Sequence, residues 1–249
     1  MTIYPLLSLK KMDSAMLLFE LQHITRAMSD EDAEMLMSAA QLATYLHRNQ
    51  RRFVRDDMPK VPYIEHPLRN TLRLHRWGST DAEILTIALL HDVVEDCTDE
   101  LLELGSIKPS GAVLGAGTLG ARTINRCMAI DKLTADYGTR VGEGVEALTN
   151  PINGSYLDHV VEQSSNRDFA LVKASDLHDN AGSLKHQIGG MKPESMRRRI
   201  AKYAPAVSFM CTALKEFDDP VARNALTAMR KVRHSLNQLE DQIGSTTTP

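Results

Sequence analysis

The run DAEILTIALLHDVVED, residues 81–96, is the feature that most restricts how this chain can fold. Its apolar first part predicts a helix buried in a core. Its last six residues then add His91, Asp92, Glu95 and Asp96. At about 100° per residue, these four side chains fall within roughly 140° of helical arc. Clustered carboxylates on a buried helix repel one another and lose hydration, which is costly unless a cation compensates. The run therefore predicts a metal site.

Helical periodicity continues along most of the chain, and no convincing alternating strand is present. The predicted helices cover 14–28, 30–50, 67–77, 81–96, 136–148, 155–164, 167–184, 193–217 and 219–242. A length of 249 residues with 43% hydrophobic residues suits one domain with a proper core. We predict an all-α helical bundle in a single domain over 1–249, with its core at about 30–217.

Two segments depart from this periodicity. The segment 105–126, GSIKPSGAVLGAGTLGARTINR, is rich in glycine and predicts a flexible insertion after the helix of 81–96. Such an insertion would serve as a flap beside the site or contact another subunit. It lacks the lysine and the strand–helix context of a phosphate-binding loop. Residues 243–249 predict a disordered tail.

Composition restricts the class of partner and the compartment. A net charge of −3 gives no reason to expect a nucleic acid or an anionic membrane as partner. The three cysteines are widely separated and form no CxxC pair, which favours a reducing cytoplasm. The N-terminus is a poor signal peptide, and no apolar run approaches the roughly 20 residues of a membrane span. We therefore predict a soluble, cytoplasmic protein, and the sequence leaves a homo-oligomer open.

The basic runs MRRRIAKY (196–203) and MRKVRH (229–234) are local exceptions to the acidic balance. They predict solvated helix faces or a groove for a small anionic ligand.

A second candidate for metal binding lies in the motif PYIEHPL. His66 precedes Pro67, so its backbone is pushed away from helical geometry, at the mouth of the following helix. The alternative is a histidine that acts only as a polar helix cap.

A third candidate is LVKASDLHDNAGSL, in which Lys173, Asp176 and Asn180 share one helical stripe. The alternative here is a solvated polar face.

Together these motifs supply two imidazoles and two carboxylates from three helical elements: His66, His91, Asp92 and Asp176. This mixed nitrogen and oxygen set suits a hard or borderline divalent ion such as Mn²⁺. Glu95 and Asp96 lie one turn further on, where an acid pair can exchange protons with water or with a leaving group. The alternative is a set of buried capping and salt-bridging groups.

An ordered series of motifs carries a resemblance to a known family. The series is HRNQRR (47–52), PYIEHPL (62–68), ALLHDVVED (88–96), YGTRVGEGVEALT (137–149), VKASDLHDN (172–180) and KPESMRRRIAKYAPAV (192–207). It resembles the hydrolase domain of RelA/SpoT homologues, which are HD-domain phosphohydrolases, over about residues 35 to 215. The resemblance implies an HD-domain helical bundle and a stand-alone small alarmone hydrolase.

The resemblance also implies roles for particular residues. His66, His91, Asp92 and Asp176 match the manganese ligands, and Glu95 and Asp96 match the acid pair that activates water. The implied substrate contacts are Arg52 on the purine base, Asn180 near the sugar, and Tyr63 and Lys173 supporting the pocket and the phosphates. The implied reaction is metal-dependent hydrolysis of the 3′-pyrophosphate of (p)ppGpp, which yields GDP or GTP and pyrophosphate.

Departures from the family pattern keep substrate specificity open. Phe53 stands where a lysine usually follows the arginine, and KASDLHDN replaces the common KLADRLHN. We expect Arg51, Arg55 and Lys60 to supply positive charge toward an anionic substrate. The alternatives are an HD phosphohydrolase for (p)ppApp or the 2′-phosphate of NADPH, and a non-catalytic alarmone-binding HD module.

Overall fold

The structure, a computed structural model, describes residues 7–53, 60–107, 109 and 119–245. Its helices are α1 (Ser14–Thr25), α2 (Asp30–Leu46), α3 (Glu65–Trp77), α4 (Ala82–Leu90), α5 (Val93–Asp96), α6 (Thr98–Leu104), α7 (Leu119–Tyr137), α8 (Thr139–Leu148), α9 (Tyr156–Gln163), α10 (Arg167–Gly182), α11 (Pro193–Ala213) and α12 (Pro220–Ser245). Short 3₁₀ turns occupy Leu9–Lys11 and Leu184–His186. Strands β1 (Arg51–Arg52) and β2 (Val61–Pro62) pair antiparallel, with Arg51 opposite Pro62. The predicted all-α architecture is confirmed.

Helix α4 lies at the centre of the bundle. Asp81 caps it by accepting hydrogen bonds from the backbone N–H groups of Glu83 and Ile84. All residues of α4 are buried except Glu83. Helices α2, α3 and α8 pack around it. A Cβ at Gly144 of α8 would collide with the side chain of Ile87, so glycine permits this close approach. A buried central helix places its C-terminal residues inside the protein.

Helix α10 is the second buried element. It packs against α3, α11 and α12, and its residues from Ala170 to Leu177 are buried. Asn166 caps its start by accepting hydrogen bonds from the N–H groups of Asp168 and Phe169. The polar middle of α10 therefore faces the start of α3 and the end of α4. In the described part of the chain, no helix is both long and apolar enough to cross a bilayer.

Two of the predicted helices are divided in the structure. The helix predicted over 81–96 is interrupted, because His91 and Asp92 form a turn between α4 and α5. The helix predicted over 136–148 is wrong as one element, because Gly138, with φ of 91°, separates α7 from α8. A left-handed backbone conformation at a glycine is a common way to end a helix.

The predicted flexible insertion over 105–126 is wrong for its last eight residues, which form the first two turns of α7. Residues 108 and 110–118 lie outside the described residues. The buried face of α7 recurs every four residues but is narrow and partly polar: Ala121, Asn125, Ala129 and Leu133. Because most of these buried residues are small and follow a glycine-rich segment, the helical periodicity was not recognised in the sequence. The predicted tail is likewise wrong for 243–245, which end α12, while 246–249 are not described.

Candidate active site

The four predicted metal ligands converge where α3, the α4–α5 turn and α10 meet. His66, His91 and Asp176 are buried, and each offers one ligand atom within 4.8 Å of the others. Asp92 Oδ2 lies 3.4 Å from His66 Nε2 and 3.2 Å from His91 Nε2. Asp176 Oδ1 lies 3.2 Å from His66 Nε2. His91 and Asp92, the two residues of the turn between α4 and α5, both contribute side chains to this cluster.

Hydrogen bonds hold both imidazole rings with Nε2 toward the cluster. His91 Nδ1 donates to the carbonyl oxygen of Ala88 at 2.9 Å, and His66 Nδ1 lies 2.9 Å from Asp179 Oδ2. His66 Nε2 also receives a long contact of 3.4 Å from Asn70 Nδ2. His91 Nε2 is buried and makes no hydrogen bond within the described ranges. Two Nε2 lone pairs beside two carboxylates form a donor set that fits a divalent metal ion.

The electrostatics of the cluster also favour a bound cation. Burial lowers the pKa of His91, but the charges of Asp92 and Asp176 outweigh burial and raise this pKa to about 9. Burial raises the pKa of Asp176, but Lys173 and the two histidines bring it well below its usual range. The two carboxylates thus favour positive charge between them, which a divalent metal ion would supply.

Asp179 anchors His66 from behind. Its fully buried carboxylate accepts hydrogen bonds from Arg69 Nε at 3.0 Å and from Arg73 at 2.9 Å, besides the contact with His66. Burial raises the pKa of Asp179, but Arg69, His66 and Arg73 hold it well below its usual range. A carboxylate on the far nitrogen of a ligating histidine fixes both its tautomer and its orientation. This role of Asp179 was not predicted from the sequence, although Arg69 and Arg73, one turn apart on α3, were a signal for a buried carboxylate partner.

The acid pair lies beside the cluster. Glu95 Oε2 accepts hydrogen bonds from Asn150 Nδ2 at 2.7 Å and from its backbone N–H at 3.3 Å. Arg126 of α7 donates to the carbonyl oxygen of Asn150 at 2.7 Å. Burial, then the charges of Asp92 and Glu95, raise the pKa of Asp96 to about 6. A carboxyl group with this pKa can exchange protons near neutral pH. Asn150 was not predicted, because nothing near it in sequence points to Glu95.

A cavity of about 550 Å³ opens above these residues. Eight of the ten predicted site residues line it: Arg52, Tyr63, Asp92, Glu95, Asp96, Lys173, Asp176 and Asn180. The other two, His66 and His91, lie in the buried cluster. The predicted site residues are thus brought together from four separate stretches of the chain.

Polar contacts connect the cavity wall to the cluster. Arg52 donates to Asn180 Oδ1 at 2.5 Å, and Asn180 Nδ2 donates to Asp176 Oδ1 at 2.5 Å. Lys173 Nζ lies 3.1 Å from Asp176 Oδ2, and the Tyr63 hydroxyl donates to Asp92 Oδ2 at 2.7 Å. The side chains predicted to contact substrate are therefore fixed by the same carboxylates that would hold a metal.

Positive charge surrounds the cavity mouth. The cationic lining residues are Arg51, Arg52, Lys60, Lys173, Arg199 and Lys202. Arg199 and Lys202 come from the basic run at 196–203, whose neighbours Arg197 and Arg198 are exposed. Tyr156 and Tyr203 add aromatic rings, with Lys202 Nζ 4.3 Å from the Tyr156 ring centre. Arg199, Lys202 and Tyr203 of α11 were not predicted individually. Arg55, which was expected to add positive charge, lies outside the described residues. The arrangement can receive a strongly anionic molecule that carries a planar ring.

Comparison with known proteins gives partial matches. No model of a protein family matches the chain. The guanosine-3′,5′-bis(diphosphate) 3′-pyrophosphohydrolase MESH1 of Xenopus tropicalis is 43% identical over 74 residues, which are 29% of this chain and 40% of that protein. The human protein of that name is 45% identical over 73 residues, 29% of this chain and 38% of the relative. The matched region thus spans about two fifths of these relatives' length.

A solved structure resembles the chain over a longer range. The protein in that structure is described as "a metazoan ortholog of SpoT" that "hydrolyzes ppGpp and plays a role in starvation responses". The similarity has a TM-score of 0.55 at 20% identity and covers 81% of this chain and 94% of the other. The chain therefore shares the all-α fold of that protein.

Proposed function

We propose that this chain hydrolyses the 3′-pyrophosphate of (p)ppGpp, releasing pyrophosphate and GDP or GTP. The observation that carries the proposal is that one cavity contains both a candidate metal site and a cationic lining. A histidine and carboxylate cluster that fits a divalent ion lies at its floor, and six cationic side chains line its wall. The partial sequence matches to proteins named for this reaction support the choice of substrate.

The metal proposed for this site is Mn²⁺, held by His66, His91, Asp92 and Asp176. Two imidazoles and two carboxylates without a thiolate favour a hard or borderline divalent ion. When bound, such an ion activates water and screens the charge of phosphoryl oxygens. The four side chains would leave coordination positions for water and substrate.

The acid pair would move the protons of the reaction. Glu95, oriented by Asn150, would accept a proton from the water that attacks the 3′-linked phosphorus. As the bond between that phosphorus and the 3′ oxygen breaks, Asp96 would protonate the departing oxygen. Its raised pKa of about 6 keeps a useful fraction of Asp96 protonated near neutral pH.

The cationic wall would neutralise and orient the substrate. Lys173 is held by Asp176, so it can meet phosphate groups with little loss of side-chain freedom. Arg52, held by Asn180, would pack against the purine base. The Tyr156 and Tyr203 rings offer surface to a purine base. Positioning and charge neutralisation are the main requirements of phosphoryl transfer.

We further propose that the chain forms a single hydrolase domain and acts in the cytoplasm. One continuous hydrophobic core joins residues from Leu9 to Leu239, which supports a single domain. Cys97, Cys127 and Cys211 are all free thiols, which supports a reducing compartment.

The test uses metal-stripped protein reloaded with Mn²⁺ and incubated separately with ppGpp, ppApp and NADPH. Ion-exchange chromatography would resolve the nucleotide, phosphate and pyrophosphate products. We expect Mn²⁺-dependent conversion of ppGpp to GDP and pyrophosphate, and loss of both metal and activity in Asp92→Asn. Faster turnover of ppApp or NADPH would replace the proposed substrate, and bound metal without turnover of any of them would contradict the proposed reaction.

A further inference from the structure

A second cavity, of about 460 Å³, lies behind helix α10. His178 and Gly182 of α10 line it, and at about 100° per residue they lie roughly 200° and 240° around the helix from Asp176. The other walls are the 3₁₀ turn Leu9–Lys11, the end of α3 and the middle of α12. This cavity, here called the rear cavity, is therefore separate from the candidate active site.

The lining of the rear cavity is strongly basic. It contains no acidic residue, and its cationic members are Lys10, Lys11, Arg73, Arg76, Lys185 and Lys231. Arg73 is paired with Asp179, and Arg76 lies 3.6 Å from Glu20. The ion pairs of the described residues include none formed by the other four lysines. In a chain with a net charge of −3, this local excess of positive charge favours the approach of an anion.

Three polar atoms at the rear cavity make no hydrogen bond to an anionic group of the described residues. Lys10 Nζ reaches only neutral oxygens, those of the Ser183 hydroxyl at 2.5 Å and the Asp179 carbonyl at 3.3 Å. Burial lowers the pKa of Lys10 to about 7. Arg76 Nε and His178 Nδ1 are buried without a hydrogen-bond partner among the residues described. Buried polar atoms are normally satisfied, and Lys10 Nζ and Arg76 Nε can only donate, so their position at one cavity points to a ligand that accepts hydrogen bonds.

We propose that the rear cavity binds a small polyphosphate anion. Phosphate oxygens would accept hydrogen bonds from the lysines and Arg76, and several adjacent negative charges would compensate the cluster better than one. The described lining residues include cations and no carboxylate, so they can contact phosphate oxygens directly. Trp77 and Val232 give the cavity an apolar side, which leaves room for an organic group attached to the phosphates.

Trp77 makes the proposal directly measurable, because it is the single tryptophan of the chain and lines the rear cavity. It lies 11 residues beyond His66 on α3, about 16 Å along the helix axis, so its fluorescence reports the rear cavity rather than the metal cluster. The probe is inorganic pyrophosphate, titrated at constant ionic strength while tryptophan emission is recorded. Asp92→Asn protein, which lacks a proposed metal ligand, serves to exclude effects transmitted through a metal ion.

The decisive variant is the triple substitution Lys11→Ala, Lys185→Ala and Lys231→Ala, whose three lysines are exposed. Its charge-matched control replaces the exposed Lys192, Lys215 and Arg230 by alanine, none of which lines the cavity. We expect saturable binding by wild type, by Asp92→Asn and by the control. The rear-cavity variant should bind pyrophosphate at least about tenfold more weakly, since three charge-assisted contacts are lost.

Two results would overturn the proposal. The first is equal pyrophosphate affinity in the rear-cavity variant and its control. The second is an equal fluorescence change with sulfate at the same ionic strength, since that would indicate general charge screening. Thermal unfolding of each variant, followed by circular dichroism, verifies that the three substitutions leave the fold intact.

Discussion

The substitution Asp179→Asn tests the link between the buried ion pairs and the metal cluster. Oδ1 of Asp179 accepts from Arg69 Nε and Arg73 NH2, at 3.0 and 2.9 Å, and Oδ2 meets Arg69 NH2 and His66 Nδ1 at 3.0 and 2.9 Å. An amide keeps the shape but turns one acceptor into a donor, so two of these four contacts lose their acceptor in either orientation. The buried guanidinium groups of Arg69 and Arg73 also lose the charge of Asp179, and Arg69 keeps only its ion pair with Glu65 at 3.1 Å.

The expected losses follow from these contacts. Removing one partner of a buried ion pair costs about 3–5 kcal/mol, and we expect a fall of this size in the free energy of unfolding. If the amide nitrogen faces His66 Nδ1, the ring must carry its proton on Nε2, which blocks a metal ligand. Loss of such an orienting carboxylate lowers metal affinity by about 10 to 100-fold.

Urea unfolding and a Mn²⁺ titration measure the two effects. The matched control is Asp168→Asn on the same helix, whose carboxylate pairs with Arg140 and Arg167 and is 22% exposed. An exposed pair contributes about 0–1 kcal/mol, so the control should lose little stability and no metal affinity. Equal effects of the two substitutions, or unchanged metal affinity in Asp179→Asn, would refute the reasoning.

Three further outcomes are expected. Glu95→Gln should retain metal but lose turnover of ppGpp by at least about 100-fold, because a proton-transfer group is removed; retained turnover would contradict that role. Asn150→Ala should lower turnover by about tenfold with metal content unchanged, because Glu95 keeps only one of its two hydrogen bonds; an unchanged rate would show that the orientation of Glu95 does not depend on this side chain. For Asp219, the bond from Arg167 lowers the pKa to about 2 from the usual 3.8, so its contribution to stability is present above pH 3.8 and is lost as pH falls through 2. Urea midpoints of wild type and Asp219→Asn should therefore differ most above pH 4 and converge toward pH 2, and a pH-independent difference would exclude this ion pair as the cause.

The sequence by itself determined the elements whose signals are local. The periodicity and cap of α4 are contained within one short stretch, and the predicted helix there differs from the structure only by the turn at His91 and Asp92. The ten predicted site residues were found because their motifs stand in a recognisable order, and the structure brings them together. Their chemical roles remain proposals.

Only the tertiary structure decided which side chains support the site. Asp179 meets His66 across 113 positions, and Asn150 meets Glu95 across 55, so no local pattern contains either contact. The stripe of small residues on α7 became visible only against its neighbours, since alanine and asparagine carry a weak burial signal. Periodicity and caps depend on neighbours along the chain, whereas these contacts depend on how the helices pack. For this reason the helices could be predicted from the sequence, but the side chains that support the site could not.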